Sequence, residues 1–286
     1  MNCLFVSDIH GSADRYEKLF RLIVSERPDG LFLGGDILPS ALHLTGLVAA
    51  DEGGFVRGYL LGKLEELRRE MGRNYPRIFV ILGNDDGRAE EGSVREGDAL
   101  GLWTYAHSRK APFGELSVYG YSYAPPTPFL LKDWERYDVS RYTDPGCVSP
   151  EEGVRSCPAP ENELRYSTIA LDLDKLAGED SLERAVMLFH SPPHGTNLDF
   201  SACGGKLVEG VPLDAHLGSV AVRRFIEQRQ PLLTLHGHVH ESARLSGSWR
   251  DRIGRTHAFS AAHDGPELAL IRFDTDDLAS ATRELV

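Results

Sequence analysis

Short apolar runs that stop abruptly against polar residues set the rhythm of this chain. Residues 3–6 run into Ser7-Asp8-Ile9-His10, residues 31–33 into Gly34-Gly35-Asp36, and residues 78–82 into Gly83-Asn84-Asp85-Asp86. Residues 185–189 run into His190-Ser191-Pro192-Pro193-His194, and residues 232–235 into His236-Gly237-His238-Val239-His240. Runs this short, rich in Val, Ile, Leu and Phe and bounded by turn formers, predict strands buried on both faces. Helical spacing lies between them. Ser12 is placed to cap a helix whose Tyr16, Leu19, Phe20 and Ile23 share one face until Pro28. Tyr59, Leu60, Leu64, Leu67 and Met71 repeat the pattern before Pro76, and Val222, Phe225 and Ile226 do so before Pro231. Strands alternating with helices predict an α/β layered domain, in which ligands collect at the carboxyl ends of the strands. The five polar clusters are therefore expected along one edge.

Residues 115–123 and 267–273 predict further strands, and the polar tail 274–286 is expected to be peripheral. Between lies an irregular excursion at about 124–165, opened by Ala124-Pro125-Pro126-Thr127-Pro128 and rich in Pro, Gly and Glu over 143–163. The 143–163 stretch reads as a solvated surface loop of one domain spanning 1–286, with a lid or an oligomer contact as alternatives.

Composition narrows the partners. The 286 residues, 41% hydrophobic and 26% charged, are those of an ordinary soluble globular protein. Asp and Glu outnumber Lys and Arg by 43 to 31, a net charge of -12 that disfavours a long nucleic acid. A small anionic substrate held by metal ions stays open, because the ions reverse the local charge. Cys3, Cys147, Cys157 and Cys203 form no CxxC pair, which points to a reducing, cytoplasmic setting. No signal-peptide pattern or bilayer-length apolar run implies a membrane. Oligomeric state is left open.

The candidate chemistry sits in the polar clusters. Asp8 and His10 are two apart, as are His238 and His240, so each pair at a strand end is expected to point to one side. Asp36 and Asn84 each follow glycine, which permits close backbone approach. With His190 they make seven imidazole, carboxylate and amide donors, a set suited to Mn, Fe, Zn or Ni more than Ca or Mg. Seven exceed one ion's needs and match two ions sharing a carboxylate. Taken singly, each has a bland explanation as a turn, cap or surface residue; the joint pattern does not.

The ordered set Asp8-x-His10, Gly35-Asp36, Gly83-Asn84, His190 and Gly237-His238-x-His240 resembles the calcineurin-like metallophosphoesterase superfamily, from residue 3 to about residue 240. That resemblance implies a four-layer α/β/β/α sandwich with a dinuclear metal site at the strand C-terminal edge. It implies Asp8, His10 and His240 on one ion, Asn84, His190 and His238 on the other, and Asp36 bridging. It also implies two divalent ions, Mn first and Fe, Zn or Ni after it. The activity implied is hydrolysis of phosphate esters on small phosphorylated molecules, as a phosphodiesterase or phosphatase, by a metal-bridging hydroxide. A nuclease and a catalytically silent interaction module on the same fold are the competing readings.

The chain departs from the family pattern where many members carry Gly-Asn-His-Asp/Glu, whose His protonates the leaving group. Here Asp85 stands in that place, followed by Asp86. Asp85 is either a general acid of raised pKa or a carboxylate that only hydrogen-bonds a neighbour. Branches without that His resemble phosphodiesterases. The Asp-Arg-Gly of Ser/Thr protein phosphatases is also missing after Asp36, whereas His190-Ser-Pro-Pro-His194-Gly-Thr resembles small bacterial and archaeal members. His194 is a candidate substrate contact or a structural loop residue. His236 is expected in a strand and His263-Asp264 in a turn. His43, His107, His216 and His257 are expected to be solvated, as are Arg88, Lys132, Arg136 and Arg165, which could otherwise clamp a phosphate.

Overall fold

Each of the five apolar runs forms a strand in a computed structural model that describes residues 1–40, 54–208 and 210–286. The strands are β1 (Asn2–Val6), β2 (Gly30–Gly34), β3 (Arg77–Ile81), β4 (Thr104–Tyr105), β5 (Arg109–Phe113), β6 (Leu116–Tyr121) and β7 (Ala185–Phe189). They continue as a small hairpin of β8 (Leu207–Val208) and β9 (Val211–Pro212), then β10 (Leu233–His236), β11 (Arg250–Ile253), β12 (Thr256–Ser260), β13 (Ala269–Asp274) and β14 (Asp277–Leu285). One six-stranded sheet runs β14-β13-β1-β2-β3-β4 and the other β11-β12-β10-β7-β6-β5. β1, β2 and β3 are mutually parallel, as are β6, β7, β10 and β12, so the ligand-bearing ends of each set leave the sheet on one side.

Side-chain alternation builds the layers. Cys3, Phe5, Phe32, Phe79 and Ile81 of the first sheet meet Val118, Val186, Leu188, Leu233, Leu235 and Phe259 of the second in one buried cluster. Residues of the opposite parity, among them Leu4, Val6, Leu33 and Val80, pack beneath Tyr16, Leu19, Ile23, Leu64 and Leu67. On the other outer face Met187 and Phe189 meet Ile169, Leu173, Val222, Phe225 and Ile226. The result is the helix–sheet–sheet–helix sandwich that the family resemblance implies. Truncating a fully enclosed ring such as Phe5 or Phe32 to Ala removes about 3–5 kcal/mol.

Helix Ala13–Glu26 starts where Ser12 Oγ accepts the Arg15 N–H and stops at Arg27, whose φ of 48° turns the chain toward β2. Tyr59 to Met71 is split between a π-turn, Val56–Leu60, and helix Leu61–Met71. Helix Val220–Arg229 is capped by Ser219, whose Oγ accepts the Val222 N–H.

Two expectations gain detail. The tail 274–286 is peripheral, as expected, but forms an edge strand: β14 pairs antiparallel with β13, burying only Leu278 and Ala281. A strand with one covered face carries too few apolar residues to be read from composition. The excursion 124–165 is largely irregular in backbone; its 143–163 stretch lies mostly at the surface, but Leu131, Lys132, Asp133, Trp134 and Glu135 are all buried. Its backbone polar groups are met by bonds such as Ala124 N–H to Trp134 O and Lys132 N–H to Val154 O, both 2.9 Å.

Candidate metal centre

β1 ends at Val6, so Asp8 and His10 do not reach the same side through strand alternation. They sit in a loop with left-handed backbone, at φ of 55° and 51°, and Asp36 (50°) and His238 (75°) share that conformation. Non-glycine residues adopt it at about 1–2 kcal/mol each, so the surroundings must impose it. Here the loops brace one another: the Asp8 N–H donates to Gly35 O at 3.0 Å, His10 N–H to Asp36 O at 2.8 Å and Gly11 N–H to Ile37 O at 3.1 Å. Gly35 is required both by its φ of 92° and by space, since a Cβ there would lie 2.6 Å from His190 Nδ1 and 2.9 Å from Leu82 O.

Asp86 fastens the β2 and β3 loops together. Fully buried, it accepts the N–H groups of Leu38 (2.7 Å), Gly83 (2.8 Å) and Ile37 (3.3 Å). Burial, joined by the charge of Asp36, pushes its carboxyl up to about 7.

Donor atoms of Asp8, His10, Asp36 and His240 all lie within 4.8 Å of one another. His240 Nε2 is 3.2 Å from both Asp8 Oδ1 and His10 Nε2. A second group gathers on Asn84, whose Oδ1 is 2.9 Å from His190 Nε2 and 2.7 Å from His238 Nδ1. Asp36 joins the groups, with Oδ2 3.4 Å from His190 Nε2. All seven sequence-predicted ligands therefore converge.

The donor set fits divalent cations. Asp8 and Asp36 are 1% and 3% exposed, and among the described residues their only side-chain ion pairs are with histidines. Burial opposes ionisation of Asp8, but the His240 hydrogen bond and the charges of His240, His190 and His10 override it and hold the carboxyl well below the usual range. Asp36 is likewise lowered, chiefly by His190 against the effect of burial. The converse holds for the histidines. Against burial, Asp85, Asp36 and Asp8 raise His10 to about 9, and Asp36 and Asp8 raise His190 to about 9. His238 is lowered to about 3 by burial and the charge of His190. Among the described residues these carboxylates face histidines and no Lys or Arg side chain, the place a cation would take.

Orientation of the rings agrees. His190 Nδ1 donates to Gly34 O at 2.9 Å, leaving Nε2 as the ligand atom. His10 Nδ1 lies 3.2 Å from Asp85 Oδ2, again leaving Nε2 inward. Asp85 Oδ1 accepts the Ser40 hydroxyl at 2.7 Å, and the Asp85 N–H donates to Asp36 Oδ1 at 2.8 Å. His194 makes its contacts elsewhere: Nε2 is 3.1 Å from Asp214 Oδ2, and its ring lies 5.7 Å from that of His216, itself paired with Asp199.

Sequence reasoning missed Ser40 and Arg15, whose guanidinium donates to the carbonyls of Asp8 (2.7 Å), Gly265 and Pro266. Nothing in the local sequence marks a side chain that serves distant backbone oxygens. Several cations and histidines expected in solvent are not there. Lys132 is wholly buried against Glu135, and Arg136 pairs with Asp172 and Glu163 above the Tyr123 ring, 4.0 Å away. His107 packs among Tyr105, Tyr121, Tyr123 and Trp134 and accepts the Ser122 N–H, because the ends of β4 and β6 and the excursion's Trp134 bring these aromatics around it. His43 lies outside the described residues. His236 is in a strand, as expected, and His263 lies in irregular backbone just before a bend that begins at Asp264.

Similarity to known proteins bears on the same loops. Among solved structures, the protein TT1561 of Thermus thermophilus superposes with a TM-score of 0.55 at 17% identity, covering 99% of this chain and 98% of that one. Phosphopantetheinyl hydrolase from Mycobacterium tuberculosis superposes with a TM-score of 0.51 at 14% identity, covering 92% and 89%. Likeness at this level speaks for the fold alone. No curated protein sequence matches the chain. The family model for Calcineurin-like phosphoesterase matches residues 1–242, a span containing all seven converging donors, and the chain belongs to that family of metal-dependent phosphoester hydrolases.

Proposed function

We propose that this chain hydrolyses phosphate esters of small molecules with two divalent ions, Mn before Fe, Zn or Ni, preferring diesters to monoesters. Asp8, His10 and His240 hold one ion, Asn84, His190 and His238 the other, and Asp36 faces both. Bound there, the ions supply acidified water and positive charge for the phosphoryl oxygens. The observation that carries the reading is the meeting of the Asp8–His10–His240 and Asn84–His190–His238 groups at the buried carboxylate of Asp36.

The residues prepare the site in stated ways. Gly34 O and Asp85 fix which nitrogen His190 and His10 present inward. Asp86 and the loop-to-loop bonds hold the ligand loops in backbone conformations they would leave if free. His194, on the loop that begins at His190 and held by Asp214, is the candidate substrate contact at the rim of the site. The net charge of -12 argues against a nuclease.

Elemental analysis of protein loaded with Mn, combined with turnover of aryl phosphodiesters and monoesters, tests the proposal. Two ions per chain, turnover, and loss of both in Asp36→Ala are expected. Stoichiometric metal with no turnover of any phosphate ester would instead make the chain a silent interaction module.

A further inference from the structure

The residue after Asn84 is where many relatives place a proton-donating histidine, and its surroundings here point to another task. Asp85 has a short side chain with both oxygens engaged. Oδ1 accepts the Ser40 hydroxyl at 2.7 Å, and Oδ2 faces His10 Nδ1 at 3.2 Å. Its backbone N–H is committed as well, to Asp36 Oδ1 at 2.8 Å. Both carboxylate oxygens are thus turned to Ser40 and His10, side chains of the protein itself. The imidazole it faces turns its other nitrogen inward, 3.2 Å from His240 Nε2. A carboxylate behind an imidazole fixes its tautomer and ring plane and makes the far nitrogen a stronger donor. His190, in the other group, is backed among the described residues by the neutral carbonyl of Gly34.

We infer that Asp85, anchored by Ser40, is a positioning residue that holds His10 by Nδ1 and aims Nε2 at the ion shared with Asp8 and His240, and that it does not protonate the leaving group. This rests on the two-ion reading above. Two consequences follow. One ion is held by a charge-backed histidine and the other by a carbonyl-backed one, so Asp85 variants weaken a single binding step. The leaving group departs without a proton from this position, so the rate depends steeply on leaving-group pKa in the wild type and equally steeply in the variants.

Metal-free wild type, Asp85→Ala, Asp85→Asn and Ser40→Ala are titrated with Mn(II), and with Co(II) for its absorption spectrum. Turnover is then measured on aryl phosphodiesters of graded leaving-group pKa. In Asp85→Ala one binding step weakens by roughly 10–100-fold while the other holds. Asp85→Asn, which keeps an oxygen toward His10, weakens less, and Ser40→Ala least. Turnover falls by the same factor for every leaving group and recovers as Mn(II) is raised. Unchanged binding with a loss that grows with leaving-group pKa would overturn the inference in favour of a general acid. Equal weakening of both steps would overturn it in favour of a general folding brace. If Asp85→Ala does not fold, the Asn and Ser40 variants decide. A wild type that binds two ions but cleaves no ester defeats the phosphoesterase reading alone, since the metal titration still reports on Asp85.

Discussion

Replacing Lys132 by Met tests whether the excursion braces the site through a buried charge pair. The side chains of Lys132 and Glu135 are both 0% exposed and in contact. Burial lowers the Lys132 pKa and raises that of Glu135, so for each group desolvation outweighs the attraction of its partner. Losing one member of such a pair removes about 3–5 kcal/mol, because the other charge stays buried. Glu135 would retain the Thr127 N–H at 2.7 Å and the Thr127 hydroxyl at 2.5 Å, and could take up a proton. The lower end, about 3 kcal/mol, is therefore expected. At about 2–4 °C per kcal/mol for a chain of this size, Tm should fall by about 6–12 °C. Thermal and urea unfolding followed by circular dichroism measure it. Adding Glu135→Gln should restore most of the loss, since the neutral amide still accepts from Thr127 N–H. Function should follow, because neighbouring residues tie the excursion to the ligand loops. Asp133 accepts the Arg88 N–H beyond the β3 loop, and Asp138 accepts the Val220 N–H beyond the β7 loop. Weaker Mn(II) binding is expected in the single variant and recovery in the double. A single variant within about 1 kcal/mol of wild type, or a double no better than the single, would refute a desolvated charge pair at this position.

Chelation should lower Tm and added Mn(II) restore it, by about 2.7 kcal/mol when free ion is a hundredfold above Kd; superimposable melts would remove metal from the folded state. His107 is lowered to about 3 by burial and by the charges of Arg136, Arg88 and Arg95. The unfolded chain therefore takes up a proton near pH 6.5 that the folded chain refuses. This contribution to stability is intact above about 6.5 and declines as pH falls toward about 3, by up to about 1.4 kcal/mol per pH unit. His107→Asn, compared with wild type by urea unfolding across that window, should flatten the slope, and parallel curves would exclude the assignment. His194→Ala should raise KM severalfold with kcat little changed; an unaltered KM would exclude substrate contact.

Legibility differed by scale. The strands were plain because a strand buried on both faces admits only apolar residues, and the turn formers after residues 6, 33, 82, 189 and 235 mark where burial ends. The candidate metal donors were legible because they follow those strands directly. Why Asp8 and His10 meet was read wrongly: left-handed backbone imposed by the Gly35–Ile37 loop does what strand alternation was expected to do. β14 escaped notice for the opposite reason, since an edge strand buries too little to leave a pattern.

The amino-acid sequence by itself determined which donors the chain carries, their order, and the layered class that puts them at strand ends. Those depend on neighbours along the chain, through side-chain period and turn chemistry. Only the tertiary structure decided what stands behind the donors. The carboxylate backing His10, the carbonyl backing His190, the clamp of Asp86 and the burial of Lys132 all join residues remote in sequence or enclosed by distant segments. Such partners are selected by packing, and packing distances do not appear in the order of the residues.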